Sequence, residues 1–312
     1  MTKMIKELKP EKLSDIKHLV QEYIEHISDS LFPASHVDRQ MTWYRSGLDN
    51  GLLYILCVYS ESNTALGFLV HNLKHNRTEV IYANQNFLIE KQLFDSMFKS
   101  YSPKAPTILF ESGYPTPWIS DELSAYAVSI GFFKYDRQYM RLERSSKILP
   151  VDLGTGFSLI QCSESMLESV SELVFKSVDG TDDQVLFPYV YGTYESILKF
   201  HHEVIGGDFG IHKPTYSWIL MKDKTLIGSC FMTTRNGDTA YLMHLAIDPM
   251  FRKQRFGRLL LNYSIINMYH VEPNVTGVEL AVTTRNPARV LYESIGFKKV
   301  NDSATYVWTK EL

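Results

Sequence analysis

The chain of 312 residues has only 3 cysteines, Cys57, Cys162 and Cys230, which lie far apart in the sequence. They offer neither a disulfide framework nor a zinc-binding spacing, and such sparse cysteine is typical of a reducing compartment. The longest apolar run, from Leu52 to Tyr59, is too short to cross a bilayer. The first residues carry no apolar core of a signal peptide. We therefore expect a cytoplasmic protein that does not bind membranes.

Excess charge of one sign is missing as well. The chain has 32 Lys and Arg residues against 35 Asp and Glu residues, a net charge of -3 at pH 7. This balance excludes a general attraction to nucleic acid, so we expect no nucleic-acid partner. The hydrophobic fraction is 45% and the charged fraction 21%, as in globular proteins. A chain of this length suggests about two domains.

The predicted elements occur twice in a similar order: a helix, a pair of strands, a helix, a strand, a helix and a strand. Residues 129–132 and 294–297 both read Ser-Ile-Gly-Phe, a weak internal repeat. A Gly- and Pro-containing stretch, residues 145–156, separates the copies. The sequence thus predicts two tandem α/β domains, each with a mixed sheet, at 1–148 and 149–312. One domain with an unrelated N-terminal extension is the alternative.

The second copy contains a strand that ends at Leu245, Ala246 and Ile247, breaks at Asp248-Pro249, and leads into an amphipathic helix. We call the connection the basic turn; it comprises Arg252, Lys253, Gln254, Arg255, Phe256, Gly257 and Arg258. The first N–H groups of a helix lack internal partners and lie at the positive end of its dipole. With the added cations they predict a diphosphate site. A solvated turn before an ordinary surface helix is the alternative.

This stretch resembles the acetyl-coenzyme A motif of the GNAT N-acetyltransferase superfamily, in which Arg/Gln-x-x-Gly-x-Gly/Ala follows a strand and a proline. Arg252 and Gly257 match the motif, whereas Arg255 replaces its first glycine. The resemblance implies two GNAT-like domains and acetyl-CoA as co-substrate. It also implies that the edge of the strand 245–247 pairs with the pantetheine arm.

Arg255 is the main departure from this motif. A left-handed backbone at that position would cost a non-glycine residue about 1–2 kcal/mol. One charge-assisted hydrogen bond from its guanidinium to a phosphate would contribute about 1.5–3 kcal/mol. Arg255 is therefore compatible with a working site, and equally with weakened binding.

Residues 291–297 resemble a second family signature, whose tyrosine often protonates the leaving thiolate. The resemblance implies this role for Tyr292. The alternative is that Tyr292 is simply a buried aromatic residue of a helix. The family usually has asparagine seven residues before this tyrosine. Here Arg285 occupies that position, and Asn286, one residue later, is the expected cofactor contact. The first copy lacks the basic turn and has Ala127 where the second has Tyr292. We expect it to have lost its cofactor site.

The general base is the least determined residue. Many relatives place a glutamate on the motif strand, where this chain has Tyr241. His244 on the same strand has a suitable ordinary pKa, so we predict it as the base. Strand alternation puts Tyr241 and His244 on opposite faces unless a bulge intervenes. An ordinary packed histidine is the alternative, and Glu279 is a weaker candidate.

Other patterns in the second copy admit two readings. His201-His202-Glu203 does not predict a metal site, because adjacent histidines diverge on a helix or strand. The aromatic run from Phe187 to Tyr194 lines an acceptor pocket or simply packs. The acidic residues Asp179, Asp182 and Asp183 attract a cationic amine or form a solvated loop.

Together these features predict an acetyl-CoA-dependent N-acetyltransferase that acts by direct transfer on a primary amine of a small molecule or peptide. We expect a monomer or homodimer and no metal. A non-catalytic acyl-CoA sensor and a tandem-GNAT aminoacyl transferase are the alternatives.

Overall fold

The computed structural model of the chain describes residues 4–27, 35–146, 148, 154–235 and 238–310. They form two compact units, the first made of residues 1–137 and 302–312, the second of residues 138–301. The predicted first domain includes residues 138–148, which belong to unit 2. The predicted second domain includes residues 302–312, which belong to unit 1. The predicted limits of the two copies stay a prediction. No helix within the described ranges is long and apolar enough to cross a membrane.

Unit 1 has a sheet in the order β1-β2-β3-β4-β5-β12. Its strands are β1 (Met4–Glu7), β2 (Leu53–Tyr59), β3 (Ala65–Asn72), β4 (Arg77–Tyr82), β5 (Thr107–Gly113) and the end of β12 (Lys298–Thr309). Its helices are α1 (Lys17–Ile27), which follows a 3-10 turn, α2 (Ser35–Asp49), α3 (Phe87–Tyr101) and α4 (Asp121–Ser129). Apolar side chains of α1 and α2 pack on one face of the sheet and those of α3 and α4 on the other.

Unit 2 has a sheet in the order β6-β11-β10-β9-β8-β7. Its strands are β6 (Phe133–Glu143), which begins in unit 1, β7 (Phe157–Gln161), β8 (Ser217–Lys222), β9 (Thr225–Arg235), β10 (Thr239–Ile247) and β11 (Gly277–Thr283). Its helices are α5 (Leu167–Val178), α6 (Asp182–Leu186), α7 (Pro188–Tyr191), α8 (Tyr194–Gly206), α9 (Phe256–Val271) and α10 (Ala288–Ile295). One core lies between the sheet and α9, the other between the sheet and α5 with α8.

The two Ser-Ile-Gly-Phe sequences occupy the same structural position in their units. Gly131 and Gly296 have φ of 100° and 115°, the left-handed conformation that glycine adopts without a side-chain clash. Phe132 N–H donates to Ala127 O at 3.0 Å, and Phe297 N–H donates to Tyr292 O at 3.1 Å. Both are the six-to-one bond of a Schellman helix end. Ala127 and Tyr292 are therefore equivalent positions.

Four parts of the chain differ from the sequence-based expectation. The sequence of residues 31–50 indicates a loop with a short helix, whereas from residue 35 onward the structure has the 15-residue helix α2. Residues 176–212, which the sequence marks only as a polar and aromatic segment, contain α6, α7 and α8, and no pattern predicts β7. The sequence indicates two terminal strands, near Lys298 and over 305–309, and these are one strand, β12. Much of the predicted linker 145–156 lies outside the described residues, as does the centre of residues 235–238, which carry a hairpin-turn signal.

Candidate active site

The parallel strands β10 and β11 of unit 2 stop pairing before their carboxyl ends. Parallel pairing of β10 with β11 joins residues 239–241 to residues 277–279. Beyond this point the described residues show no further pairing between the two strands, although β10 runs to Ile247 and β11 to Thr283. Leu245, Ala246 and Ile247 still pair with β9 on their other side. The backbone edge of β10 that faces β11 is thus open to an extended ligand.

A β-bulge interrupts β10 within this open part. Leu242 pairs with Met232 and His244 with Phe231, so Met243 is an extra residue on β10. Ala240 and Leu242 pack in the core beneath α9, which places Tyr241 on the opposite face. The bulge then returns His244 to that same face, where its ring stacks on Phe231 at 4.7 Å between centroids. The bulge that the alternation argument required is present.

The backbone of the basic turn exposes a row of unused donors. Lys253 and Arg255 have φ of 62° and 68°, so the left-handed conformation considered for Arg255 occurs. The first bond of α9 runs from Leu259 N–H to Arg255 O at 3.1 Å. Within the described residues, the N–H groups of residues 255–258 have no acceptor, and Arg255 provides no side-chain cap. A concave row of free N–H groups at a helix start is an anion-binding structure.

Two side chains of the basic turn anchor it to other parts of unit 2, and one of them, that of Arg252, is also exposed. Arg252 donates to Ser177 O at 2.6 Å and to Ile247 O at 3.2 Å, so its guanidinium anchors the turn. The ring of Phe256 packs on Phe157 at 4.9 Å between centroids. Lys253, Gln254 and Arg255 are exposed.

Gly257 and Arg258 lie at the first turn of α9, close to α10. A Cβ atom on Gly257 would lie 3.3 Å from Leu291, so glycine permits the close approach of these helices. Arg258 donates to Ser294 O at 3.4 Å, a weak contact that leaves most of its guanidinium available.

Tyr292 lies on α10 in the core beneath α9, with 8% of its surface exposed. Its ring is 5.8 Å from that of Phe297. Burial, followed by the nearby carboxylate of Asp183, raises the pKa of Tyr292. A buried phenol with a raised pKa stays protonated and acts as a hydrogen-bond donor at neutral pH.

His244 is buried, and its Nε2 atom lies 3.0 Å from Ser229 Oγ. Its ring is 5.0 Å from that of His201, whose Nδ1 atom lies 2.8 Å from Ser171 Oγ. Burial lowers the pKa of His244 well below its usual range and lowers that of His201 to about 3. Both rings are neutral and weakly basic at pH 7. The base role of His244 stays a prediction, and its burial weakens the physical case for it.

Two further candidates are held by other groups. Asn286 Oδ1 accepts from Ala288 N–H at 2.9 Å and so supports the start of α10, which leaves its NH2 group for a ligand. Glu279 accepts from Arg141 Nη1 at 2.7 Å and serves an ion pair within unit 2. The described residues contain no group of three or more His, Cys, Asp or Glu side chains placed to hold a metal ion.

The aromatic run 187–194, for which the sequence left an acceptor pocket and plain packing as alternatives, forms α7 and the start of α8. Tyr191 is centred 6.3 Å from both Phe187 and Phe200. Burial, then the charge of Asp183, raises the pKa of Tyr191, and the same carboxylate acts on Tyr292. Asp183 on α6 thus influences tyrosines of α7 and α10. Sequence reasoning had named these residues separately and had no signal that would join them.

Comparison with known proteins agrees with this geometry. Residues 213–299 match the family model described as an acetyltransferase (GNAT) domain. This match covers β8 to β11, α9 and α10, and therefore the basic turn, Tyr292 and the open edge of β10. A search among curated proteins gave no match.

Solved structures of similar fold cover nearly the whole chain. A GCN5-related N-acetyltransferase from Sphaerobacter thermophilus has a TM-score of 0.69 at 14% identity, over 98% of this chain and 95% of its own. A tandem GNAT protein from the clavulanic acid biosynthesis pathway has a TM-score of 0.60 at 14% identity, over 99% and 98%. A GNAT-family acetyltransferase from Colwellia psychrerythraea has a TM-score of 0.56 at 10% identity, over 98% and 100%.

At such low identities the solved structures show only the fold. The family model adds a match at the level of sequence, within unit 2. The mixed α/β fold with two GNAT-like units is thereby confirmed. Residues 213–299 thus carry the sequence pattern of an acetyltransferase (GNAT) domain, and the chain as a whole has the fold of tandem GNAT proteins.

Proposed function

We propose that unit 2 transfers an acetyl group from acetyl-CoA to a primary amine of a small molecule or peptide. The observation that carries this proposal is the row of free N–H groups at residues 255–258, which lies at the carboxyl end of a strand with an open edge. A diphosphate at the row and an extended arm along the strand fit the two halves of coenzyme A. The single change from the family motif in this row is Arg255.

The charges of the basic turn support diphosphate binding. Lys253 and Arg255 are exposed beside the free N–H groups. Each charge-assisted hydrogen bond to a phosphate oxygen contributes about 1.5–3 kcal/mol. One such bond from Arg255 offsets the roughly 1–2 kcal/mol cost of its left-handed backbone. Arg252 acts by anchoring the turn to Ser177 rather than by binding phosphate through its guanidinium.

The open edge of β10 supports binding of the thioester arm. Residues 245–247 offer backbone N–H and C=O groups on the side that faces β11. The bulge at Met243 reorients the backbone just before them. A reoriented N–H group beside the arm is a suitable donor to the oxyanion that forms when an amine attacks the thioester carbonyl.

The transfer forms a C–N bond and breaks the C–S bond, and the amine loses one proton while the thiolate gains one. An alkyl amine with a pKa near 10 costs about 4 kcal/mol to deprotonate at pH 7. Tyr292 supports the other half of the step, because its buried, protonated phenol is a donor for the thiolate. We propose Tyr292 as the general acid and His244 as a residue that holds the bulge.

A coenzyme A release assay over a panel of primary amines tests the function. We expect turnover with at least one amine, and we expect Tyr292→Phe to lower kcat about a hundredfold or more while acetyl-CoA affinity stays within twofold. Tyr263→Phe is the matched control. Tyr263 lies on α9, where its ring packs on that of Trp218 at 4.7 Å between centroids, and it has no role in the proposed step. Equal kcat in Tyr292→Phe and Tyr263→Phe would remove Tyr292 from the mechanism.

A non-catalytic acyl-CoA sensor is the second candidate. The observation in its favour is that His244 is buried and Glu279 is paired with Arg141. A sensor would bind acetyl-CoA tightly, and it would release no coenzyme A with any amine of the panel.

We also propose a cytoplasmic location. It is supported by the three cysteines, which are free thiols and buried.

A further inference from the structure

The segment between α5 and α6 is attached at its first end to the strand β10. Ser177 O accepts a hydrogen bond from Arg252 Nη2 at 2.6 Å, and Arg252 Nε donates to Ile247 O at 3.2 Å. Ile247 is the last residue of β10. We call residues 177–183 the crossing segment. Its first end is therefore fixed beside the carboxyl end of β10.

The other end of the crossing segment is attached beside β11. Asp182 accepts from Arg285 Nε at 2.5 Å and from Arg285 Nη2 at 2.6 Å, a bidentate ion pair. Arg285 follows Thr283, the last residue of β11. The Asp182 side chain is 22% exposed and that of Arg285 54%. Two parallel bonds fix orientation as well as distance, which a single exposed pair does not.

These two attachments define the path of the segment. The carboxyl ends of β10 and β11 are separated, because their pairing stops at Tyr241 and Glu279. The crossing segment is fixed to one strand end by Arg252 and to the other by Arg285. It therefore spans the mouth of the gap in which the proposed thioester arm lies.

The ion pair also fixes the residue that follows it. Asp183 is half-buried, and its carboxylate is close enough to raise the pKa values of Tyr191 and Tyr292. Tyr191 lies on α7 and Tyr292 on α10, so the charge of Asp183 acts on tyrosines of both helices. A carboxylate in this place favours a cationic acceptor.

We infer that Arg285 is a positioning residue for the acceptor: its pair with Asp182 holds the crossing segment, and with it Asp183, at the mouth of the gap between β10 and β11. This inference rests on the proposed function. It differs from the expectation drawn from the motif, in which the residue seven positions before the tyrosine is an asparagine on the cofactor side. In this chain Arg285 is turned to the acceptor side, and Asn286 lies at the start of α10.

Steady-state kinetics of Arg285→Ala test the inference. We expect the KM for the amine to rise about threefold to tenfold, since the pair is partly exposed, while the KM for acetyl-CoA stays within twofold. Arg289→Ala is the matched control, because that arginine pairs with Glu293 at 2.7 Å on α10 and does not touch the crossing segment. We expect it to leave both constants unchanged. The double exchange of Asp182→Arg with Arg285→Asp should recover part of the loss.

A rise in the KM for acetyl-CoA with an unchanged KM for the amine would overturn the inference and leave the proposed function intact. Should the wild-type protein acetylate no amine, the proposed function fails, and hydrogen exchange of residues 177–183 becomes the readout. Faster exchange there in Arg285→Ala, with wild-type exchange in Arg289→Ala, supports the anchoring role. Equal exchange in the two variants contradicts it.

Discussion

The turns that connect the bulged strand to its helix differ sharply between the two units. In unit 1 the turn 83–86 has two left-handed residues, Asn84 and Gln85, and then Asn86, whose Oδ1 accepts from Ile89 N–H at 3.4 Å. In unit 2 the turn is longer and basic, and the helix start has no side-chain cap. One turn provides an acceptor for a helix N–H group, and the other leaves the first N–H groups of its helix without an acceptor among the described residues.

Around these turns the two units have kept the same fold. Each has an extra residue on the strand before the turn, Glu79 in β4 and Met243 in β10. Each strand pairs with its parallel neighbour over only a short stretch. The difference teaches that a GNAT-like sheet does not need its cofactor turn for stability. A capped, uncharged turn is sufficient, and the uncapped, strained turn of unit 2 requires another reason, which we propose is acyl-CoA.

The largest expected difference between the units is their response to acid. Burial lowers the pKa of His71 in unit 1 to about 4, that of His201 to about 3, and that of His244 well below its usual range. All three ionise near 6.5 when unfolded. Above pH 6.5 these histidines are neutral in both states and do not change the free energy of unfolding. As the pH falls from 6.5 towards the folded pKa, the free energy of unfolding decreases by about 1.4 kcal/mol per pH unit for each histidine. Unit 2 holds two of them.

Hydrogen exchange between pH 7 and 5, corrected for intrinsic rates, measures this difference. We expect α8 and β10 to lose protection more steeply than α3 and β4. His201→Gln should reduce the slope in unit 2, whereas His202→Gln should not, because the His202 side chain is 51% exposed. Equal slopes in the two units would contradict the prediction.

The next largest effect is a charge reversal in the turn of unit 2. We expect Arg255→Asp to weaken acetyl-CoA binding about a hundredfold, because it replaces a cation by a carboxylate beside the free N–H groups. Gln85→Asp is the matched control, since Gln85 is also left-handed, with φ of 55°. Isothermal titration should show wild-type affinity for Gln85→Asp. Similar losses in both variants would refute the difference between the turns.

A smaller effect separates strain from binding at the same position. Arg255→Gly should raise the free energy of unfolding by about 1 kcal/mol, because glycine adopts the left-handed conformation without strain. The same change should weaken acetyl-CoA binding about tenfold, since one charge-assisted contact is lost. Chemical denaturation and titration measure the two quantities. A stability loss together with unchanged affinity would show that Arg255 serves the fold.

The smallest effect concerns the cap of unit 1. Asn86→Ala should lower the free energy of unfolding by about 1 kcal/mol, the usual cost of a lost N-cap. It should leave acetyl-CoA affinity unchanged. A gain of ligand binding at unit 1 in this variant would mean that Asn86 blocks a site that is otherwise intact.

Local patterns predicted a large part of this structure. Apolar alternation and flanking turns predict strands over 239–247 and 277–283, and these are the limits of β10 and β11. The motif also drew attention to a left-handed backbone at Arg255, and this conformation is present. The basic turn, Tyr292 and Gly257 were likewise recognisable, since each belongs to a short contiguous signature.

Features that depend on distant partners were not predictable in this way. The pair of Asp182 with Arg285 joins residues 103 positions apart, and nothing local to either residue specifies it. The bulge at Met243 is defined by the register with β9. The end of β12 belongs to unit 1 because Ser303–Thr309 pairs with β5, which precedes it by nearly two thirds of the chain. Such contacts follow from topology, which periodicity does not encode.

The central claim is that the free N–H groups of unit 2, and not the turn of unit 1, receive the diphosphate of coenzyme A. Amide NMR of one sample titrated with coenzyme A compares both turns at once. We predict saturable shifts for the amides of residues 255–258 and unchanged positions for those of residues 84–89. Shifts confined to residues 84–89, or none at residues 255–258 at saturating ligand, would contradict the account.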